Sequence, residues 1–392
     1  MNTNRKKTIA GFTLVEMMIA TAVTLILLYA AVLTFRDASS SNQVVTQAAD
    51  MTENFRAALN SIELDLQQAG TGIPPNGINI PYTSNGSSTS PCSTTPAINR
   101  PKLGGKTTFP QCNSALPAVE PGNMLGPAIT APDASSGTVA NPGSITDEIT
   151  MLYADNTLGL DNDPINKAAT PGPPASPACN GTLKLSGTTL TVVFDVNCVN
   201  LDPSTANGIR TQVGDLILFT NTNGSALLAV TGLAGQTLTF ASGDPFNLNG
   251  RTDPSGTIQN LETGGATCGG GTACFPPTNA TRIWMVTYYL DNVSAPPFVR
   301  LVRQVNFYPP APVGETLENL QFTYNFVDGA TNPSNQPTVP SGFSESQIRS
   351  VNVSLAARSS YQVRQGNQSL FARTNLQTQV SLRSLAYTNP YQ

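Results

Sequence analysis

The sequence predicts an α+β protein in which one long amino-terminal helix is packed on a largely antiparallel β-sheet domain. Three observations lead there. Residues 12–35 form an apolar run that neither Gly nor Pro interrupts. A stripe with the helical period of three to four residues continues this run to residue 69. The last third of the chain alternates apolar and polar residues with the period of strands.

The helix opens on Gly11-Phe12-Thr13-Leu14-Val15-Glu16-Met17-Met18-Ile19-Ala20, with Arg5, Lys6 and Lys7 just before it. From Phe12 to Phe35 the only charged side chain is Glu16. As a helix this segment covers about 36 Å, enough for a bilayer core of about 30 Å. The basic residues in front favour a cytoplasmic start, which sends everything after Phe35 across the membrane. A cleaved secretory signal has an apolar core of only about 7–15 residues. An ordinary signal anchor fits the length but has no use for Glu16. A carboxylate at mid-span costs about 2.5–3.5 kcal/mol, less near an end, so Glu16 implies a partner.

Residues 36–70 read as an amphipathic continuation. Met51, Phe55, Ala58, Leu59, Ile62, Leu66 and Ala69 form the stripe expected to pack on the exported domain, and Arg56, Glu63 and Asp65 fall between them. Gly70, Gly72, Pro74 and Pro75 end the helix, which would be about 85 Å long. Its weakest stretch is Ser39-Ser40-Ser41-Asn42, low in helix propensity.

Residues 71–145 form a Pro, Gly, Ser and Asn-rich region read as loops, and residues 146–392 a β-rich domain. Strands are expected at 149–153, at 183–185 and 190–196 around a Ser186-Gly187 turn, at 213–219, 226–231 and 237–240, and then at 283–290, 299–305, 317–326, 348–356 and 380–385. In the strand 283–290, Trp284 and Tyr288 share one face and Tyr289 the other, which favours core packing over a binding patch. No fixed-period repeat is present.

Charged residues make up 11% of the chain against about 25% in ordinary soluble domains, which suits an exported strand-and-loop protein. Removing residues 1–11 deletes three of 20 basic residues, leaving 17 against 24 acidic, a net −7. An acidic chain without a long basic run argues against nucleic acid as a partner. Cys92, Cys112, Cys179, Cys198, Cys268 and Cys274 form an even set that reads as disulfides in a translocated chain. Six cysteines allow about 15 pairings. Proximity favours Cys92–Cys112, Cys179–Cys198 around the expected hairpin, and Cys268–Cys274.

Histidine is absent, which excludes Ser-His-Asp and Cys-His units and the usual His-containing zinc sites. No Gly-rich phosphate loop, Gly-x-Ser-x-Gly or paired-carboxylate motif stands out. Asp161-Asn162-Asp163 offers oxygen ligands for calcium, but without the Gly and distal Glu of an EF-hand loop it reads as an ordinary turn. The chain thus reads as a structural protein rather than an enzyme, with no catalytic residues, metal or cofactor.

Lys7-Thr8-Ile9-Ala10-Gly11 followed by Phe12-Thr13-Leu14-Val15-Glu16 closely resembles the class III signal of type IV prepilins. The resemblance implies a pilin-like fold, a leader of residues 1–11, and cleavage by a prepilin peptidase between Gly11 and Phe12. Phe12 then becomes the N-methylated first residue, residues 12–35 the transmembrane and assembly helix, and Glu16 the contact to the amine of a neighbouring Phe12. Within one helix Glu16 sits about 6 Å from its own amino terminus, so self-pairing is the alternative. Many major pilins carry a Pro or Gly within the apolar half, and this chain does not.

Asp65-Leu66-Gln67-Gln68-Ala69-Gly70, Val213-Gly214-Asp215-Leu216-Ile217-Leu218 with residues 226–231, residues 282–289 with Leu301-Val302-Arg303, and Arg373-Thr374-Asn375 with residues 380–383 resemble the PilW-type minor pilins. These are in turn similar to the J-type minor pseudopilins of type II secretion. The resemblance implies a structural subunit at or near a pilus tip that primes assembly. Its partners would be other minor and major pilins, the prepilin peptidase, an inner-membrane assembly platform and membrane lipid. A pseudopilin and a pilus-displayed adhesin are the rival readings. Before assembly the chain would cross the inner membrane once, with its carboxy-terminal domain periplasmic, and afterwards lie on the cell surface.

Overall fold

A computed structural model describes residues 13–81, 98–101, 108–109, 115–129, 145–155, 165, 181–194, 201, 211–252, 255–262, 275–294, 298–365, 368–382 and 384. They belong to two units, Met1–Glu53 with Ser359–Ala372, and Asn54–Arg358 with Arg373–Gln392. A single helix, α1 (Leu14–Gln68), contributes its first part to one unit and residues 54–68 to the other. It runs unbroken through Ser39–Asn42, as the absence of Gly and Pro from the whole segment allows.

In the first unit, the side chains of α1 from Leu14 to Phe35 are exposed, Leu14 and Phe35 each by 77%. The helix is long and apolar enough to cross a membrane. Its threonines hide their hydroxyls on the helix itself: Thr24 donates to the carbonyl of Ala20 at 2.7 Å, and Thr21 and Thr34 make equivalent bonds. These threonine hydroxyls are thereby satisfied without water, which suits an apolar medium.

In the second unit, all the expected stripe residues of α1 from Phe55 to Ala69 are buried. Helix α1 stops where Gly70 takes the left-handed conformation, φ 83°. The exiting chain is tied at once to a strand, because Gly70 N–H donates to Leu152 O at 2.8 Å and Ala154 N–H to Thr71 O at 2.8 Å.

That strand, Glu148–Asp155, belongs to the largest sheet. In chain order its strands are β1 (Val119–Gly122), β2 (Glu148–Asp155), β5 (Leu216–Asn221), β6 (Gly224–Ala229), β9 (Asn279–Asp291), β10 (Arg300–Val305) and β11 (Ala311–Glu315). The missing numbers are the hairpin β3 (Thr182–Ser186) and β4 (Thr189–Val193), with β7 (Gly232–Ala234) and β8 (Thr237–Phe240), which make a four-stranded sheet. All pairings are antiparallel.

The long strand β9 organises the main sheet. Arg282 pairs with both Asp155 of β2 and Ile217 of β5, so those two strands flank it on opposite edges. Further along, β10 takes the edge that β5 occupies at the start, with Tyr288 opposite Arg303. Ile217, Phe219, Ala226, Leu228 and Ala280 of this sheet share one core with Leu183, Leu190, Val192, Leu238 and Phe240 of the four-stranded sheet. The rings of Phe219 and Phe240 meet edge to face, 5.4 Å between centroids.

A three-stranded sheet of β12 (Leu317–Phe326), β13 (Ile348–Arg358) and β14 (Arg373–Ser381) completes the unit. Its inner face carries Leu320, Phe322, Tyr324, Val351, Val353 and Leu355, all buried. The outer face is bridged between strands by Asn325–Ser350, Asn352–Thr323 and Gln379–Ser350 hydrogen bonds.

Several sequence expectations are corrected. Strands were expected only from residue 148 onwards, yet Val119–Gly122 pairs with β2, and short pairings join Ile78–Asn79 to Ala115–Leu116 and Ile98–Asn99 to Thr108–Phe109. The last strand covers Arg373–Ser381 rather than 380–385. Val213 and Gly214 form a turn before β5, where Gly214 has φ 98°. Tyr288 and Tyr289 are core residues, whereas Trp284 is half-buried against Arg282.

Candidate functional site: the amino-terminal segment and its anchorage

Thr13 and Glu16 start the helix together. The Glu16 amide donates to Thr13 Oγ1 at 3.3 Å, while Glu16 Oε2 accepts from the Thr13 amide and from Thr13 Oγ1, each at 3.0 Å. This is a capping box, in which two otherwise orphaned backbone donors are satisfied reciprocally. A negative carboxylate in the first turn also faces the positive end of the helix dipole. The exposed Glu16 therefore has a role within its own chain that a reading aimed only at a neighbouring amine misses. The signal was present as Thr-x-x-Glu directly before an apolar run. Gly11 and Phe12, the expected cleavage and methylation positions, lie outside the described residues.

At its other end the helix is held by a polar cluster. Asp65, whose side chain is 7% exposed, receives Arg303 Nε at 2.6 Å, Arg303 Nη2 at 3.0 Å, Tyr288 Oη at 2.6 Å and Tyr153 Oη at 3.2 Å. Ser61 Oγ lies 2.7 Å from the Tyr288 hydroxyl. Sheet register explains the convergence. Tyr288 and Arg303 are opposite one another, and Tyr153, opposite Trp284, points to the same face. Burial, with the Asp65 charge alongside, pushes the Tyr153 hydroxyl up to about 12 and the Tyr288 hydroxyl further. Both phenols stay protonated and donate. Helix and sheet also approach closely at Gly314 of β11, where an added Cβ would lie 2.8 Å from Ala58 Cβ.

A second cluster sits on the same face of β9. Arg282 Nη2 lies 2.6 Å from Asp155 Oδ2, which also accepts from Trp284 Nε1 at 3.0 Å, and the guanidinium stands 4.8 Å over the Trp284 ring. Asp215 is 3.6 Å from Arg282 Nη1 and accepts from Tyr308 Oη at 2.7 Å. Burial pushes the Asp215 carboxyl up, while Tyr308, the Gln212 amide and Arg282 hold it down.

Among the described residues no group of three or more His, Cys, Asp and Glu is arranged to hold a metal ion. The six cysteines and Asp161–Asp163 lie outside the described residues. The hairpin that Cys179 and Cys198 were expected to bracket is present, with Thr182 paired to Val193.

A single apolar amino-terminal helix, capped at its first turn and joined to antiparallel β sheets, defines a type IV pilin-like arrangement. Residues 6–32 match the family described as "Prokaryotic N-terminal methylation motif". Together these support a type IV pilin- or pseudopilin-like protein. The motif points to a structural protein and implies prepilin-peptidase processing in general, and the exposed apolar helix fits a membrane anchor before assembly. Comparison with curated proteins and with solved structures gives no match.

Proposed function

We propose that the chain is a minor type IV pilin of the PilW type, which helps to prime pilus assembly and sits at or near the pilus tip. The observation that carries this reading is the pairing of the methylation motif at residues 6–32 with an apolar helix whose side chains are left uncovered. An exposed apolar patch of this extent needs lipid first and neighbouring subunits later. Support for the PilW type comes from how its stretches connect. Asp65 of the first meets Tyr288 and Arg303, and Asp215 of the second meets Arg282, so separate parts of the resemblance join in two ion clusters.

In this reading the peptidase cuts between Gly11 and Phe12, Phe12 is N-methylated, and the β domain faces the periplasm. The new amine and Glu16 of adjacent subunits then pair in the filament. Mass spectrometry of the mature chain tests processing: an intact leader in assembled filaments, or cleavage further along, refutes it. Gly11→Trp should leave a membrane-held precursor. Deleting the gene, counting surface pili and locating the protein in those that remain tests the function. Normal pili together with lost protein secretion would assign the chain to a secretion pseudopilus. Normal pili that no longer attach to surfaces would assign it to adhesion.

A further inference from the structure

Several sheet edges in the second unit are blunted. Strand β1 carries Pro121, and β11 carries Pro312 at a register shift against β10. Strand β12 has two register shifts, and Tyr324 within it bridges to Gln336. Pro, bulges and covering segments are the usual protection against unwanted strand pairing. Strand β14 has none of them among the described residues. All nine of its residues, Arg373–Ser381, pair with β13 in unbroken register.

The main-chain groups of β14 alternate in direction. Leu382 N–H donates to Arg349 O at 2.9 Å and Ser359 N–H to Ala372 O at 2.7 Å, just beyond the two ends of the strand. This parity assigns the bonds to β13 to Thr374, Leu376, Thr378 and Val380. Asn375, Gln377 and Gln379 therefore turn their N–H and C=O groups away from β13, and among the described residues these groups meet no protein partner. Their side chains lie on the outer face, where Gln379 Nε2 donates to Ser350 Oγ at 2.9 Å. Leu376 points to the inner face, opposite the buried Leu355, and yet is 38% exposed.

We propose that this edge pairs with the same edge of a second copy of the chain, antiparallel and centred on Gln377. A two-fold axis there sets Gln377 against itself, Asn375 against Gln379, and Leu376 against Thr378. Arg373, held by Glu318, falls opposite Ser381. From Thr374 to Ser381 the strand has no charged residue, so identical halves meet without like-charge repulsion. Each outward-turned residue is matched by another, so N–H and C=O groups are exchanged along the pair. The amides of Asn375, Gln377 and Gln379 continue as a ladder, and Leu376 gains cover from Thr378 of the copy. A foreign strand would be selected by charges, which this edge lacks. Self-complementarity of this kind closes at a dimer, since both open edges are consumed. A single strand pair is a small interface, which makes the dimer weak and concentration-dependent. The proposal does not rest on the filament reading.

The test is sedimentation of the full-length chain in density-matched detergent micelles, with variants at the exposed Gln377. The unaltered chain should dimerise as its concentration rises. Gln377→Lys and Gln377→Glu each set like charges face to face, and each should dimerise at least tenfold more weakly. An equal mixture of the two should recover a heterodimer, because opposite charges then meet at the axis. Gln377→Pro removes an N–H that points away from β13, so it should stay folded and monomeric. Circular dichroism and melting curves check the fold, and the Lys and Glu variants decide alone if the Pro variant does not fold. Monomers of the unaltered chain at every concentration overturn the proposal and leave the edge to a different protein. Dimers that ignore the charges, or charged variants that mixing does not rescue, also overturn it, as pairing through the apolar helices would give that pattern.

Discussion

Asp65 and Arg303 lie 238 residues apart in sequence and share two hydrogen bonds, of 2.6 and 3.0 Å. The bonds join α1 to β10, and the paired groups keep Tyr288 and Tyr153 as donors on the same carboxylate. Geometry makes this a clamp for one helix orientation, because a guanidinium presents its donors in a fixed fork. Asp65→Ala would leave Arg303 without its counter-charge and two buried phenols without their acceptor. The expected loss is about 3 kcal/mol of unfolding free energy, the range for a broken buried pair, lessened by the 29% exposure of the Arg303 side chain. Denaturant unfolding of Asp65→Ala, Arg303→Ala and the double variant in micelles measures the coupling. Strictly additive effects would show that the two residues do not act as a pair.

The β3–β4 hairpin motivates the expectation of a Cys179–Cys198 bridge. Thr182 and Val193 are cross-strand partners, so the chain leaves the open end of the hairpin with Cys179 and Cys198 three and five residues beyond them. A bridge there closes a short loop and contributes about 2–4 kcal/mol if unstrained. Non-reducing peptide mapping should recover Cys179–Cys198, with Cys92–Cys112 and Cys268–Cys274. A peptide joining Cys179 to any other cysteine would mean that another contact governs this end of the sheet.

The helix, its buried stripe and the strands at 237–240 and 317–326 were legible because each is written in a local period. What escaped was written elsewhere. Strand β1 contains Pro121, which is tolerated because among the described residues β1 pairs only with β2 and lies at an edge. Strand β14 begins at Arg373 with Asn375, Gln377 and Gln379, whose polar side chains belong to an outward face. Asp65 falls between the apolar stripe residues with no partner indicated by the sequence, and only the register of β9 with β10 reveals its partner. The Thr13–Glu16 box, by contrast, was readable from spacing alone.

Glu120 makes stability depend on pH in a direction opposite to most carboxylates. Its folded-state carboxyl is pushed up to about 8 from an ordinary 4.5. The folded state therefore holds the proton more tightly than the unfolded state does. The associated stability is fully present below about pH 4.5 and is lost as pH rises through about 8. Glu120→Gln cannot titrate, so its melting temperature should change less between pH 5 and 8 than that of the unaltered protein. Parallel melting curves for the two proteins over that window would show that Glu120 ionises as easily in the folded chain as in the unfolded one.

Separate variants can divide the capping role of Glu16 from the assembly contact proposed for it. If its role ended at the capping box, Glu16→Gln would be nearly neutral, because the carboxamide oxygen still accepts from the Thr13 amide. Thr13→Val would then be the damaging change, costing about 1 kcal/mol at the helix start. In the assembly reading the order reverses. The carboxylate faces the amine of a neighbouring subunit at the edge of a low-dielectric bundle, where two charges attract more strongly than in water. Gln loses that attraction while entering lipid more easily. Membrane levels and leader cleavage should therefore survive in Glu16→Gln while incorporation into filaments falls several-fold, and Thr13→Val should assemble close to normally. Co-purification with sheared filaments, normalised to the membrane pool, gives both values. Equal incorporation of Glu16→Gln and the unaltered chain would confine Glu16 to starting the helix.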